Sequence, residues 1–270
     1  MTIDMPRAAP FVARGAQGYD AYMGRWSERL APLFLDFAGV SPDERVVDVG
    51  CGTGSLTFAL AGRVNISAIS AIDYEEQFVE ALRQRNTDPM IEAQQGDACA
   101  LPYATGRFDR ALSMLVLHFV ADSQRAAAEM RRVVRPGGVA AAAVWDNYGG
   151  MPAHRLFWDT FSAIEPTARP KLVARPTTQP GELRNIFANA GFIEVTDRML
   201  TIRMDFASFD DYWFPQVHGQ GTTAELLAKL PQHTQERVQS AVRAAYLDNR
   251  LDGPRSFASV AWAVRGVVPD

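Results

Sequence analysis

Three glycines recur at every second position in the stretch RVVDVGCGTGSLTFAL, which spans residues 45–60. Gly50, Gly52 and Gly54 lie between an apolar segment and the start of a helical pattern. Because glycine adopts positive φ and lets a ligand approach the main chain, such a loop before a helix N-terminus predicts a site for a nucleotide-like molecule or an anion. The dinucleotide motif G-x-G-x-x-G does not fit, since Ser55 takes its third glycine position, and the phosphate-loop motif fails because its Gly-Lys pair is missing.

Aspartates accompany the glycines along the sequence. Asp48 comes two residues before Gly50, Asp73 ends the next apolar run, and Asp97 lies in QQGDACALPY after the third run. Asp73 follows the glycines by about 20 residues, where a carboxylate can accept hydrogen bonds from both hydroxyls of a ribose. A further aspartate, Asp109, opens the segment RFDRALSMLVLHF, which is expected to end near the same edge of a sheet.

The segments that would position these residues alternate between strand and helix patterns. Strand patterns cover 45–49, 66–72, 91–95, 108–117 and 139–145. Helical patterns lie between them, after Ser55, over about 76–86 and after Ser123, which can cap its helix. The sequence RPGG at 135–138 is expected to end that last helix, because proline cannot continue it. The alternation predicts an α/β fold with a mostly parallel sheet and helices on both faces.

Helical patterns also occur outside this alternation. Before the first strand, an amphipathic helix is indicated by Tyr19, Tyr22, Met23, Trp26, Leu30, Leu33 and Phe37, which recur at spacings of three and four. After residue 147, helical excursions over about 148–190 and 207–255 precede the strands FIEVTDRMLTIRMDF and RSFASVAWAVRGV, and Ser208 with Asp211 forms a capping-box pattern. These excursions are expected beyond the sheet edge, where they would cap a pocket.

The composition argues against several kinds of partner. The 270 residues carry a net charge of -4, so we expect neither nucleic acid nor an anionic membrane surface to bind. The sequence shows neither a signal-peptide core nor an uncharged apolar run of about 18 residues, so we expect no membrane insertion and a cytoplasmic location. The two cysteines, Cys51 and Cys99, have no metal-ligand or paired spacing.

Four of these segments, in order, resemble the motifs of class I S-adenosylmethionine-dependent methyltransferases. The similarity is greatest to the small-molecule branch, methyltransferase type 11, which includes ubiquinone and menaquinone C-methyltransferases. VVDVGCGTG is similar to the first motif of the family, AIDYEEQFVEAL to the second, GDACALPYATGRFD to the third and fourth, and MRRVVRPGGVAAAAVW to the motif of the fifth strand. The resemblance implies a Rossmann-like, seven-stranded mixed sheet in the order 3-2-1-4-5-7-6, with the last strand antiparallel.

The resemblance also divides the chain. Residues 1–38 would form an N-terminal helical lid, and 39–147 the core that binds S-adenosylmethionine. Residues 148–270 would add the remaining strands and the helical caps within the same domain.

Each motif residue then has an implied role. The backbone from Gly50 through Cys51 and Gly52 to Gly54 would carry the methionine part of S-adenosylmethionine. Asp48 would orient that part, partly through water.

Later segments would bind the rest of the cofactor. Asp73, followed by Tyr74, would bind the ribose, Asp97 with the Ala98 amide would contact the adenine edge, and the Leu115 carbonyl would lie near the amino group. On the predicted lid, Tyr19 or Arg25 would bind the carboxylate of the cofactor. The alternative is that these side chains only pack within the protein.

The charges in these segments suit this cofactor. S-adenosylmethionine carries a sulfonium and an ammonium but no phosphate, so its site needs carboxylates and carbonyls rather than a phosphate-binding lysine. Transfer to a small organic acceptor, which leaves S-adenosylhomocysteine, needs mainly near-attack geometry in a dry pocket. His118, just past the fourth strand, is a candidate general base.

Each of these assignments has an alternative without a ligand. The glycines would form only a tight turn, Asp73 a helix cap and Asp97 a turn. For His118 a structural role is the favoured interpretation, and Cys51 is interpreted as a packing residue because no base lies near it in sequence. Candidates to line an acceptor pocket, more often core residues at such spacing, are Trp145, Asp146, Trp158, Trp213, His218 and His233.

Two rival functions remain for the whole protein. A nicotinamide-dependent oxidoreductase would need a glycine at position 55 and a Tyr and Lys pair that the sequence does not offer. A cofactor-binding scaffold without catalysis would keep the same motifs. The methyl acceptor and the oligomeric state, a homodimer included, are left open by the sequence.

Overall fold

A single mixed sheet of seven strands organises the computed structural model, which describes residues 23–63, 65–166, 176–218 and 222–270. The strands are β1 (Arg45–Val49), β2 (Ala68–Asp73), β3 (Ile91–Gln95), β4 (Phe108–Met114), β5 (Val134–Trp145), β6 (Ile193–Phe206) and β7 (Arg255–Val267). Their order is β3-β2-β1-β4-β5-β7-β6, and β7 is antiparallel to both of its neighbours while the pairs among β1 to β5 are parallel. The order and the antiparallel last strand are confirmed.

Helices cover both faces of this sheet. They are α1 (Arg25–Ala38), α2 (Ser55–Ala61), α3 (Glu76–Arg85), α4 (Ser123–Val133), α5 (Pro152–Ile164), α6 (Glu182–Asn189), α7 (Phe209–His218), α8 (Thr222–Ala228) and α9 (Gln232–Leu247), with a 3₁₀ turn at Pro176–Thr178. The predicted N-terminal helix is confirmed from Arg25 onward, whereas Tyr19 and Tyr22 lie outside the described residues.

The alternation of side chains along β5 separates two buried apolar clusters. Ala141 and Ala143 belong to the cluster that contains Leu30 and Phe34 of α1, whereas Ala140 and Ala142 belong to the opposite cluster, with α4 and α6. We call these the α1 face and the α4 face. The small side chains of β5 leave room for the large side chains of α1, so the two elements can interlock at core density.

Three local predictions were wrong, each for a physical reason. The N-cap of α4 is Asp122 rather than Ser123, because the Asp122 carboxylate accepts the Arg125 amide at 2.8 Å. Residues 135–138 end α4 as predicted but belong to β5, which pairs with β4 across a register shift. Strand β4 ends at Met114 rather than at 117, because Leu115 has φ 66° and turns the chain out of the sheet.

A layer of helices packs against β6 and β7 where these strands continue past the end of β5. Trp145, the last residue of β5, pairs with Ala261, and the β6–β7 ladder runs on to the pair Phe206–Arg255. Here the Tyr212 ring of α7 packs 5.3 Å from Phe206, and its hydroxyl donates to the Ala153 carbonyl of α5 at 2.9 Å. We call α5, α7 and α9 with this ladder the cap cluster.

The rest of the first excursion behaves differently. Leu183 and Phe187 of α6 are buried in the α4 face, so α6 covers the sheet and does not join the cap cluster. Among the described residues, no helix is long and apolar enough to cross a membrane.

A buried ion pair joins α1 to the sheet at the end opposite the glycine loop. Arg110 of β4 binds both oxygens of Glu44 at 2.7 Å and donates from Nη1 to the Ala38 carbonyl at 2.5 Å. The guanidinium therefore ties the last residue of α1 to the segment before β1.

We predict that Arg110→Met lowers the free energy of unfolding by about 3 kcal/mol, because it leaves the Glu44 carboxylate and the Ala38 carbonyl without this partner. Urea unfolding monitored by circular dichroism would measure the loss. Arg135→Met is the matched control, since the exposed Arg135 pairs with Asp109, and Asp109 keeps the Arg45 amide. Its cost should stay below about 1 kcal/mol; equal losses in the two variants would contradict the prediction.

Candidate functional site

The glycine loop is anchored to the end of the neighbouring strand. After β1, the amides of Gly50 and Cys51 both donate to the Ile72 carbonyl of β2, at 2.7 and 3.0 Å. Gly50, Gly52 and Gly54 have φ of 81°, 53° and 100°. The loop thus leaves β1 in a left-handed conformation that favours glycine, and two amide bonds hold it against β2.

Steric surroundings distinguish the three glycines. A Cβ at Gly50 would lie 2.3 Å from the Val116 side chain, and a Cβ at Gly54 would lie 2.5 Å from the Phe58 ring. A Cβ at Gly52 would meet no atom within 4 Å. Gly50 and Gly54 are therefore required by packing within the protein, whereas Gly52 faces open space that a ligand can use.

Asp48 is a buried carboxylate with an incomplete set of partners. It is 1% exposed, and its Oδ2 accepts the Thr57 hydroxyl of α2 at 2.6 Å. Its Oδ1 is buried and accepts no hydrogen bond from the described residues. Burial raises the pKa of Asp48 from its ordinary 3.8 to about 7; the Thr57 hydroxyl opposes this rise and the nearby Asp73 adds to it.

Asp73 ends β2 and faces the same loop. Its Oδ2 accepts the Gly52 amide at 2.8 Å, and its Oδ1 accepts the Glu75 amide at 3.0 Å. Burial raises the pKa of Asp73, while the Glu75 and Gly52 amides counter the rise. The N-cap of α3 is Glu75, so the alternative role of Asp73 as a helix cap is wrong. The Asp73 carboxylate instead holds the turn before α3 and lies beside the open position at Gly52.

The later motif residues follow the ends of β3 and β4. Asp97 accepts the Cys99 amide at 2.8 Å in a tight turn, and Ala98 is half-buried beside it. Leu115 follows β4 and donates its amide to the Ala143 carbonyl of β5 at 2.7 Å. Tyr74 is exposed, directly after Asp73. The parallel strands thus bring these segments to the same edge of the sheet as the glycine loop.

Other candidates have partners of their own. The Arg25 guanidinium donates to Asp211 of α7 at 2.8 Å and lies over the Trp26 ring at 4.2 Å. To bind the carboxylate of a cofactor, Arg25 would have to bind it together with Asp211 or give up its ion pair with Asp211. That role of Arg25 stays a prediction. His118 is 6% exposed, in the turn after β4, and packs on Phe119 at 4.0 Å between ring centroids.

The cysteine in the loop is poorly suited to act as a nucleophile. Cys51 is buried in the α1 face, and burial raises the pKa of its thiol well above the ordinary value, with Asp48 and Asp73 adding to the rise. A protonated thiol is a weak nucleophile, which agrees with the packing interpretation. No group of His, Cys, Asp and Glu in the described ranges could hold a metal ion.

The sequence did not reveal two residues of the site. Thr57 donates its hydroxyl to Asp48, and Val116 fills the space beside Gly50. A hydroxyl in the first turn of α2 was a visible signal for Thr57, because that turn faces the end of β1, where Asp48 lies. Val116 had no such signal, since it depends on the backbone turn at Leu115.

A chemical fit to S-adenosylmethionine can be judged from these groups. The site presents two carboxylates, one with an oxygen that lacks a partner among the described residues, beside backbone that is open at Gly52. Arg85, the last residue of α3, donates to the Thr53 carbonyl of the loop at 3.1 Å. A cationic, phosphate-free ligand fits such a donor set better than a phosphate does.

Known methyltransferases are similar to this chain in sequence. A family model described as a methyltransferase domain matches residues 47–142. Malonyl-[acyl-carrier protein] O-methyltransferase of Geobacter sulfurreducens is 32% identical over 213 residues, which cover 72% of this chain and 74% of that protein. Chloroplastic 2-methyl-6-phytyl-1,4-hydroquinone methyltransferase 2 of Oryza sativa subsp. japonica is 34% identical over 136 residues, 50% of this chain and 37% of that protein.

Solved structures show the same fold at lower identity. Phosphoethanolamine N-methyltransferase 2 of Haemonchus contortus, in complex with phosphomonomethylethanolamine and S-adenosylhomocysteine, aligns with TM-score 0.58 and 15% identity, over 94% of this chain and 57% of that chain. The chain spans only about a third of the length of the first curated relatives it matches, 34% and 37%.

Because Asp48 titrates with a raised pKa in the folded protein, we predict that stability falls as pH rises from about 4 to about 7. The folded state binds a proton more tightly than the unfolded chain does. The raised pKa therefore adds a stabilising contribution that is complete below about pH 4 and is lost as the pH rises through about 7. The shift corresponds to about 4 kcal/mol at most.

Urea unfolding across this pH range would measure the effect on wild type and on Asp48→Asn, in which the amide cannot ionise. Relative to the variant, wild type should lose stability across this range, because Asp73, whose pKa is also raised, titrates in both proteins. Parallel curves for the two proteins would mean that Asp48 does not titrate in this window.

Proposed function

The chain belongs to the class I S-adenosylmethionine-dependent methyltransferases, and from this we propose that it transfers a methyl group from S-adenosylmethionine to a small organic acceptor. One observation carries the proposal: a buried carboxylate, Asp48, has an oxygen without a partner among the described residues, directly before a loop that is open at Gly52. A cationic ligand would stabilise that carboxylate in its charged form.

In this proposal the loop and the aspartates share the cofactor between them. The backbone of 50–54 and Asp48 hold the methionine end, and Asp73, with Tyr74 beside it, holds the ribose. Asp97, the Ala98 amide and the Leu115 carbonyl contact the adenine and the amino group. The bound sulfonium supplies an activated methyl group and a good leaving group.

The residues of the chain then have to position an acceptor and keep water away. The cap cluster is rich in aromatic rings, including Phe157 and Trp213 at 6.1 Å and Phe209 and Trp213 at 5.7 Å. It lies beyond the ends of the strands that carry the cofactor segments, where an acceptor would meet the methyl group. An apolar enclosure at this place favours displacement in a dry pocket.

The names of the relatives support an organic acceptor without selecting one. One is named for malonyl-[acyl-carrier protein] and another for a hydroquinone, and these acceptors differ in size and in chemistry. The acceptor is therefore sought among quinone precursors, phenols, amines and carboxylic acids.

The two rival functions are less well supported. A dinucleotide would need close approach at position 55, where Ser55 begins α2, and the pyrophosphate would lie beside buried carboxylates. A scaffold without catalysis would bind the same cofactor, so turnover is what separates it from an enzyme.

We predict that Gly52→Ala weakens the binding of S-adenosylhomocysteine at least about tenfold, or ~1.4 kcal/mol, because the added methyl group enters the space open to a ligand. Gly181→Ala is the matched control: Gly181 also has positive φ and no atom within 4 Å of an added Cβ, but it is the N-cap of α6. Both variants should lose similar stability from backbone strain.

Calorimetric titration of wild type and of both variants would measure this, with NADH as a second ligand. Wild type that binds NADH but not S-adenosylhomocysteine would favour the oxidoreductase and contradict the proposed function. Equal affinity of the two variants for S-adenosylhomocysteine would remove Gly52 from the binding site.

If His118 is the general base, His118→Ala and His118→Gln should both lower kcat/KM for an oxygen or nitrogen acceptor by about 100-fold or more. Glutamine keeps hydrogen-bonding capacity but cannot take a proton, so it separates base catalysis from a structural role. The measurement is a methyl-transfer screen with labelled cofactor and a pH profile for each accepted substrate. His233→Ala is the control, because the structure leaves His233, a pocket candidate by sequence, exposed on α9.

Two outcomes would decide against this role. Intact turnover of both variants on every accepted substrate would exclude His118 as the base. Rescue by glutamine with an unchanged pH profile would show that the residue only supports the structure.

A further inference from the structure

Two buried polar atoms on the α1 face have no hydrogen-bond partner within the described part of the chain. They are Nε1 of Trp145, in a residue that is 4% exposed, and Oγ of Ser259, in a residue that is 0% exposed. A buried polar group without a partner costs free energy. A pair of such groups therefore calls for a ligand or a water that neither β5 nor β7 supplies.

The register of the sheet places these two residues close together. Trp145 pairs with Ala261 across the antiparallel β5–β7 ladder, and Ser259 lies two residues before Ala261 on the same face. In such a ladder the diagonal positions are about 7–8 Å apart. The reach of an indole ring can close most of that distance, so both polar atoms can serve one ligand group.

The pair lies on the same side of the sheet as the cofactor segments. Leu115 and Cys51 are buried in the α1 face together with Trp145. The Leu115 amide binds the Ala143 carbonyl, two residues before Trp145, and Val116 fills the space beside Gly50. From the glycine loop to Trp145 the path therefore crosses only the ends of β4 and β5.

The cluster around the pair is apolar, and the carboxylate next to Trp145 in sequence, Asp146, accepts the Tyr148 and Gly149 amides at 2.9 and 3.1 Å. The α1 face includes Met151, Ala153 and Phe157 from α5 and its preceding turn, and Ile202 is the β6 partner of Ser259. Arg25, the arginine at the start of α1, is engaged by Asp211. A carboxylate on the acceptor would thus lose its hydration in an apolar environment, without a cation among the described residues to pair with it. Its desolvation cost would be high.

The chemistry of the two atoms narrows the ligand further. An indole N–H can only donate, and a serine hydroxyl can donate or accept. An oxygen with two lone pairs satisfies both as donors, whereas an ammonium group would leave the indole without an acceptor. A neutral carbonyl or hydroxyl oxygen is the simplest complement.

We propose that Trp145 and Ser259 bind a neutral oxygen, carbonyl or hydroxyl, carried by an otherwise apolar acceptor. This rests on the proposed methyl transfer, and it deepens it by naming the class of acceptor. Because the cap cluster and α1 cover both atoms, acceptor binding displaces cap side chains.

Trp262, which follows Ala261 on β7, offers a matched control for Trp145. Its Nε1 is also buried and has no partner among the described residues, but its side chain belongs with the α4 face. Trp262→Phe therefore removes the same kind of atom on the side of the sheet away from α1. Trp145→Phe and Ser259→Ala are the test variants, and each keeps most of the original shape.

Calorimetry in the presence of S-adenosylhomocysteine would compare 2-naphthol, naphthalene and 2-naphthoate as probes. Wild type and Trp262→Phe should bind 2-naphthol about tenfold more tightly than naphthalene, and Trp145→Phe and Ser259→Ala should each reduce that preference about threefold or more. The proposal would be overturned if wild type bound 2-naphthol and naphthalene equally, or if it bound 2-naphthoate more tightly than 2-naphthol. It would also be overturned if Trp145→Phe and Ser259→Ala both kept the full preference for 2-naphthol.

Thermal unfolding without ligand separates a ligand site from a structural water site. Ser259→Ala should leave Tm unchanged or raise it, because no protein hydrogen bond is lost, and Trp145→Phe should lower Tm no more than Trp262→Phe does, since both remove the same ring volume. Ser113→Ala should lower Tm, because the Ser113 hydroxyl donates to the Val49 carbonyl at 2.9 Å. A lowered Tm in Ser259→Ala, together with a larger loss in Trp145→Phe than in Trp262→Phe and unchanged probe binding, would assign the atoms to a buried water and overturn the proposal.

Binding of S-adenosylhomocysteine is measured in the same titrations and tests the proposed function by itself. If S-adenosylhomocysteine binds and 2-naphthol shows no preference, only the acceptor inference fails. If 2-naphthol shows the preference and S-adenosylhomocysteine does not bind, the methyltransferase proposal fails and the oxygen site stands alone.

Discussion

The burial of the Asp48 carboxylate is the constraint on which the candidate site depends. Taking an ionisable group out of water is costly, and here one hydroxyl, from Thr57, offsets only part of that cost. The group can be held there because β1 is paired on both sides, to β2 and β4, so its backbone is fully engaged. The end of a central parallel strand is thus one of the few places where a protein can keep a carboxylate dry and still direct it at a ligand.

The glycine loop follows from the same constraint. The chain turns directly after β1, close to Val116. The turn has to be short enough for α2 to place Thr57 over Asp48. Positive φ at Gly50 and Gly54 allows that path, and the tight contacts there leave no room for a side chain. Gly52 differs in its surroundings, because its positive φ also favours glycine but an added Cβ would meet no described atom within 4 Å. Gly50 and Gly54 are thus needed for the fold of the loop, whereas Gly52 leaves space for a ligand beside it.

Sequence patterns predicted the parts of this structure that depend on local periodicity. The sheet order came from the resemblance, and β3 and β7 were placed at their observed bounds because their apolar patterns end at clear polar or turn residues. The end of β4 was misplaced, because apolar residues continue past Met114 and only the backbone turn at Leu115 removes them from the sheet. The Arg25–Asp211 pair could not be predicted, since 186 positions separate its members and no local rule links them.

The two tryptophans near the end of the sheet show why position decides function here. Trp145 and Trp262 lie one row apart on adjacent strands, and each has a buried indole N–H without a described partner. Alternation along a strand sends the first toward α1 and the cofactor segments and the second toward α4. A shift of one residue in the β5–β7 register would break the pairing that brings Ser259 diagonal to Trp145. The antiparallel placement of β7 therefore does more than complete the sheet, because it puts a hydroxyl from the end of the chain beside the indole at the end of β5.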